Sequence, residues 1–389
     1  MPVHEAKSEE ATSRPFKELI DRAAIRRLAD AVAATGRPFR RALYTRRATA
    51  GLDELELKAR VRQVAAALRD ALDPDLEVAT QTLVEALPEP IASDEPTSEH
   101  FLYWPYLQFV EEYAATPEHF ELATSALHAM TQRFSAEFAI RPLLAAEPGR
   151  TLALLLEWTG DPSPQVRRLC SEGTRPRLPW GQRLPAFIDD PHATTPILDA
   201  LVDDPVEGVR RSVANHVGDI AKDHPEVAIA LCRRWRRAVP RRSSREDRER
   251  LVRHALRHPI KQGNAEALAL FGYGEASVEA KLALSAPSAK LGESVRLELE
   301  IVSLSGEAQD LLIDYAVHFP RADGSLAPKV FKWTERSLDG GATLRLERRH
   351  VFRRVTTRSN RSGRHRIEVL VNGSAVAGRD LEVRAPASK

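Results

Sequence analysis

The 389-residue chain contains two cysteines, Cys170 and Cys232. Neither has a CxxC neighbour, so neither a structural zinc site nor a disulfide framework is expected, and both read as buried free thiols in a reducing compartment. No stretch reaches about 18 uninterrupted apolar residues, which excludes a membrane-spanning helix, and the N-terminus lacks a basic-then-apolar leader pattern. A cytoplasmic location and no membrane partner are expected. There is no glycine-rich phosphate loop and no dinucleotide fingerprint, so no nucleotide cofactor is expected. His216 has no second His or Cys at ligand spacing, so no metal is expected either. Net charge is also scarce, at +2, but the total hides a split. Residues 1–130 sum to −7, residues 131–274 to +5 and residues 275–389 to +4. Local patches, not totals, steer nucleic-acid binding.

What is present is helical periodicity over the first two thirds. Residues 1–15 are polar and expected to be disordered. From Phe16 to Gly272 the pattern is helical throughout. Ile25, Leu28, Ala29 and Val32 fall at i, i+3, i+4 and i+7, and Leu57–Leu72 repeats the pattern before the Asp73-Pro74 stop. Asp161-Pro162-Ser163-Pro164-Gln165-Val166-Arg167-Arg168 and Asp204-Pro205-Val206-Glu207-Gly208-Val209-Arg210-Arg211 share D-P-x-x-x-V-R-R at a separation of 43 residues. That period, with an Asp-Pro turn before an Arg-bearing helix, reads as HEAT-like helix pairs stacked into a solenoid, with Val166 and Val209 in the core. After Tyr273 the period changes to two. Runs such as Ser294–Val302, Leu311–Phe319 and His365–Val371 are punctuated by Asp323-Gly324, Gly340-Gly341 and Asn372-Gly373. They predict an antiparallel β-sandwich of about seven strands, immunoglobulin-like in length, over residues 277–386. The expected class is multidomain: an all-α HEAT-like solenoid over 16–272 and then an all-β immunoglobulin-like sandwich.

Two polar clusters stand out. Ser171-Glu172-Gly173-Thr174-Arg175-Pro176-Arg177-Leu178-Pro179-Trp180-Gly181 joins a carboxylate, two arginines and a tryptophan in a proline-stiffened turn. About forty residues on comes Arg210-Arg211-Ser212-Val213-Ala214-Asn215-His216-Val217-Gly218-Asp219. An acid, an aromatic face and arginines together suit a cationic, phosphate-bearing substrate. Arg167, Arg168, Arg175, Arg177, Arg210 and Arg211 are candidate phosphate contacts, with Ser212, Asn215 and His216 as neutral backbone contacts. Arginines at these repeat positions equally suit pairing with an Asp of the neighbouring repeat. Arg358 and Arg361, in a basic loop of the β region, could reach a minor groove. The Tyr103–Phe109 aromatics are expected in the core.

These strings, together with Glu137-Phe138-Ala139-Ile140-Arg141-Pro142, resemble the AlkC-type family of DNA alkylation-repair glycosylases. The likeness covers the helical region in order, and a C-terminal immunoglobulin-like domain fits a subset of that family. It implies a HEAT-like solenoid that grips double-stranded DNA containing alkylated bases. It implies hydrolysis of the N-glycosidic bond of bases such as 3-methyladenine and 3-methylcytosine, reached without a conventional base-flipping pocket. A monomer is expected, separately from that resemblance. On that carry-over Glu137, Glu172, Trp180 and Asp219 are the active-site residues.

The chemistry fits those residue types. A cationic base departs as a neutral molecule, so what remains is to stabilise an oxocarbenium-like sugar and to place a water. A fixed carboxylate does both. Glu137 would position water or pair with Arg141 at i,i+4. A non-catalytic HEAT scaffold and a lesion-binding protein that shields damaged sites stay open as alternatives.

Overall fold

A computed structural model describes residues 15–91, 98–321, 323–353 and 362–385. The expectation for residues 1–14, and those for Arg358 and Arg361, lie outside the described residues. The chain divides into two compact units. One holds residues 1–227 and 234–255, and the other residues 228–233 and 256–389.

The first unit is entirely helical among the described residues. Its helix Arg22–Ala34 starts where the Asp21 carboxylate accepts the Ala24 amide at 2.7 Å, and it buries the predicted stripe Ile25, Leu28, Ala29 and Val32. The repeat read from the sequence becomes a pair of helices, Pro164–Gly173 and Glu207–Ile220, with Val166 and Val209 both buried. Ser163, not Asp161, caps the first of them. Asp161 instead accepts the Ser163 amide one step earlier. The helix Arg245–Ala255 packs against Glu207–Ile220 and carries a third copy, Asp247…Val252-Arg253, again 43 residues on. It escapes the sequence pattern because no proline follows Asp247 and His254 replaces the second arginine.

The stack is tied by acid–base rungs. Arg167 donates from Nε and Nη2 to Asp204 at 2.6 and 3.0 Å, and Arg210 donates from Nη2 to Asp247 at 2.9 Å. Each of these arginines also donates to the two carbonyls of its own Asp-Pro turn. One side chain therefore closes its repeat and grips the next.

The second unit carries eight described strands: β1 (Val278–Leu284), β2 (Ser288–Lys290), β3 (Ser294–Ser303), β4 (Gln309–Pro320), β5 (Leu326–Leu338), β6 (Thr343–Val351), β7 (Gly363–Val371) and β8 (Ser374–Arg384). They form a three-stranded sheet, β1-β3-β6, and a five-stranded sheet, β2-β8-β7-β4-β5. The count exceeds the expected seven by the short β2, which pairs parallel to β8. Alternate residues Val295, Leu297, Leu299 and Ile301 of β3 meet Ile313, Tyr315 and Val317 of β4 and Ile367, Val369 and Val371 of β7 in one core. The Asn372-Gly373 turn between β7 and β8 has both residues at positive φ, 47° and 83°, the twist a tight hairpin needs. Among the described residues no helix is long and apolar enough to cross a membrane.

Candidate active site

The site is assembled on the helix Pro164–Gly173. Arg168 and Glu172 lie one turn apart on the same face, with nitrogen and oxygen 3.8 Å apart. Glu172 sits in the last turn, where the helix dipole opposes negative charge, and its side chain is buried. Cations and a hydroxyl offset both penalties. Arg175 Nη1 donates to Oε1 at 2.6 Å, and Ser212 Oγ, from the facing helix Glu207–Ile220, donates to Oε2 at 2.6 Å. Burial pushes the Glu172 carboxyl upward, but Arg168 and Arg175 together with these hydrogen bonds outweigh it, and the group is held below the usual glutamate range.

Glu137 precedes the short helix Arg141–Ala146 and faces the same space. It accepts from Ser135 Oγ at 2.8 Å and from Arg168 Nη1 at 3.3 Å. Here burial prevails, Arg168 offsets it only in part and the neighbouring Glu172 charge adds to it, so the Glu137 carboxyl is pushed upward. Arg168 thus bridges two carboxylates whose proton affinities are driven in opposite directions.

The Trp180 turn is fixed from behind. Arg141 does not pair with Glu137. It donates to three backbone carbonyls, of Gln182 (2.6 Å), Gly173 (2.7 Å) and Arg175 (2.9 Å), and it is 1% exposed. Desolvation lowers its pKa to about 10. Held this way, Trp180 adopts φ 65°, a conformation that costs a bulky residue about 1–3 kcal/mol, and its ring stays 60% exposed. Lys58, from the helix Leu57–Ala71, donates to the Trp180 carbonyl and stands 5.8 Å from the centre of the Phe138 ring.

Glu137, Glu172, Trp180, Arg168, Arg175, Arg211, Ser212 and Asn215 line one cleft of about 520 Å³. The other wall is aromatic: Phe101, Trp104, Phe134 and Phe138, with Trp104 stacked on Phe138 at 5.4 Å and 21°. Trp104, Tyr106 and Phe109 are buried as expected, and Trp104 also lines the cleft. Three of the wall aromatics, Phe101, Phe134 and Phe138, together with Ser135, Arg141 and Lys58, are functional candidates that the sequence reading passed over. Arg141 and Phe138 lay inside the quoted Glu137–Pro142 string. The others carry no local signal.

Several expectations are corrected. Asp219, expected among the active-site residues, is buried and is not one of the side chains that line the cleft. It accepts from Arg175 Nε and Lys222 Nζ, both at 2.8 Å, and so stands one side chain behind. Of the two courses open to Arg167 and Arg210, a phosphate contact or an Asp of the neighbouring repeat, both take the second: they are 7% and 8% exposed and occupied by the repeat rungs. Arg175 is likewise buried between Glu172 and Asp219; burial pulls its pKa down, but Glu172 and Asp219 together outweigh that and hold it up. Arg177 is committed to Asp223 through two hydrogen bonds of 2.6 and 2.7 Å. His216, expected at the DNA backbone, is fully buried between the Ser171 carbonyl and Thr194 Oγ1, with its pKa lowered to about 4 by desolvation. Ser212 is turned onto Glu172, and Asn215 Oδ1 meets His254 Nε2 at 2.9 Å. Arg168 and Arg211 remain at the cleft, Arg211 exposed.

Comparison with known proteins is consistent with both units. Residues 278–385 match the family described as "Uncharacterised protein YhaZ, C-terminal Ig-like domain". The chain is 36% identical over 337 residues to YhaZ of Bacillus subtilis (strain 168), covering 85% of this chain and 88% of that protein. It is similar, at 35% identity and a TM-score of 0.87, to the Pseudomonas fluorescens alkylpurine DNA glycosylase AlkC, solved bound to DNA containing an abasic site analog. That match covers 96% of this chain and 100% of the other.

Proposed function

Since this chain belongs to the AlkC-type family of DNA alkylation-repair glycosylases, we propose that it is a monofunctional glycosylase acting on cationic alkylated bases, 3-methyladenine and 3-methylcytosine among them, in double-stranded DNA. One observation carries the reading: two carboxylates, Glu137 and Glu172, face one cleft beside the Trp180 turn, with the Arg168 guanidinium between them.

The reaction needs little more. As the bond from C1′ to the base nitrogen stretches, its electron pair returns to the base and cancels the positive charge, so no acid is required at the leaving group. Positive charge builds on the sugar. Glu172, kept ionised by Arg168 and Arg175, stabilises it from a site already ordered and partly dry. Water adds to C1′, and its proton passes to Glu137, whose carboxyl burial pushes upward from the usual glutamate range. Trp180 lies against the deoxyribose and contributes about 0.5–2 kcal/mol of attraction to its polarised C–H groups. Asp219 acts through Arg175, holding the guanidinium against Glu172, and is a positioning residue in this scheme. Arg211 serves the DNA backbone at the cleft edge, while Arg168 stays between the two carboxylates.

The test is release of 3-methyladenine from methylated duplex DNA by the purified chain, with 3-methylcytosine in a defined duplex as a second substrate. A protein that binds such DNA and releases neither base would overturn the reading in favour of a lesion-binding role.

A further inference from the structure

Phe16 and Trp180 are the two aromatic side chains among the exposed large hydrophobic residues described, at 58% and 60% exposure, and they touch each other. Their ring centres lie 6.5 Å apart at an interplanar angle of 80°. Phe16 also meets Phe101 at 5.7 Å, and from there rings continue into the cleft through Phe134, 5.0 Å from Phe101, and Trp104. The turn bearing Phe16, residues Phe16–Leu19, is anchored. Its Lys17 carbonyl accepts from buried Arg60 at 3.0 Å, the Lys17 ammonium meets Glu56 at 2.7 Å, and the next residue, Ile20, is fully buried. Phe16 is therefore held on a fixed support, in contact with Phe101 and Trp180 and with 58% of its surface exposed.

An edge-to-face pair leaves ring face uncovered, and two adjacent exposed rings are the surface a third flat ring would complete. The carboxylates claim the deoxyribose deeper in the cleft, which leaves the mouth to the neighbouring nucleotide. Every base offers a π-face, so stacking there would be independent of sequence. We propose that Phe16 is a further DNA-contacting residue, which stacks on the nucleobase flanking the damaged nucleotide while the adjoining Trp180 ring meets the deoxyribose. The inference rests on the cleft being the DNA site, and it does not depend on base release.

The experiment uses the full chain with Phe16→Ala, Phe16→Leu and Phe16→Trp. The probes are a fluorescent duplex holding one tetrahydrofuran abasic-site analogue flanked by 2-aminopurine, and the same duplex intact. Phe16→Ala should weaken binding to the abasic duplex about tenfold, or about 1.4 kcal/mol, with the intact duplex unchanged. Phe16→Leu should resemble the alanine variant, and Phe16→Trp should restore affinity. The 2-aminopurine quenching produced by wild type should be lost with Ala and Leu. Binding within twofold of wild type for Phe16→Ala, or full retention by Phe16→Leu, overturns the proposal. If wild type releases base and Phe16→Ala binds normally, the contact falls and the glycosylase reading stands. If wild type releases no base and Phe16→Ala still loses tenfold, the reverse holds.

Discussion

Replacing Glu172 by glutamine removes one charge and little else. The amide keeps an oxygen for Arg175 Nη1, now 2.6 Å from Oε1, and its NH₂ can donate to Ser212, whose hydroxyl now donates at 2.6 Å and is free to turn. Arg168 retains Glu137 and Arg175 retains Asp219, so neither guanidinium is left buried without a carboxylate. What disappears is the attraction between a fixed carboxylate and a cation forming beside it. At about 4 Å and an effective dielectric of about 20 that attraction is worth about 4 kcal/mol. Arg168 and Arg175 already neutralise part of the carboxylate, so about 3–4 kcal/mol is the expected loss, a factor of about 10²–10³ in rate. Single-turnover release of 3-methyladenine measures it, with anisotropy on an abasic-analogue duplex as the control for binding. Binding should stay within about threefold of wild type. A folded Glu172→Gln protein that releases base within about fivefold of wild type would show that this charge is not the one that meets the cation.

Other outcomes follow from the same geometry. Asp219→Asn should also slow single-turnover release, by about tenfold or more. Its effect should require Arg175, because Asp219 reaches the cleft only through that guanidinium; a double-mutant cycle with Arg175→Gln would measure the coupling. If Glu137 takes the proton from water, release should fall as pH drops through the raised Glu137 pKa while Glu172, held low, is still ionised. Glu137→Gln should flatten that acidic limb of the profile. Arg167→Ala should destabilise the first unit by about 3–5 kcal/mol in urea unfolding by stranding buried Asp204, with the salt dependence of DNA binding unchanged. Loss of a salt-slope unit would return Arg167 to the phosphates. Arg141→Met leaves three carbonyls of the Trp180 turn without their donor, at about 1–3 kcal/mol each where water cannot replace it. The fall in melting temperature should be accompanied by a shifted Trp180 emission in the folded protein.

Short-range information reached some of this and stopped. The spacing of Ile25, Leu28, Ala29 and Val32, the Asp-Pro turns at 161 and 204 and the change to period two near residue 278 set helices, repeat and strands, because each is dictated by local geometry and by which side chains must leave water. The proximity in sequence of Glu172, Arg175 and Trp180 marked the site. Which arginine served which purpose was not legible. Arg167 and Arg168 are adjacent and chemically identical, yet consecutive helix positions lie about 100° apart, so one turns inward to Asp204 and the other outward to Glu137 and Glu172. Only the packing of one repeat on the next decides that. It likewise places Asp219 behind Arg175, turns Ser212 onto Glu172 and gathers Phe101, Trp104, Phe134 and Phe138 opposite the carboxylates. The opposed proton affinities of Glu137 and Glu172 arise the same way. Desolvation and the distance to a guanidinium are properties of the folded surroundings, and no residue carries them in its own chemistry.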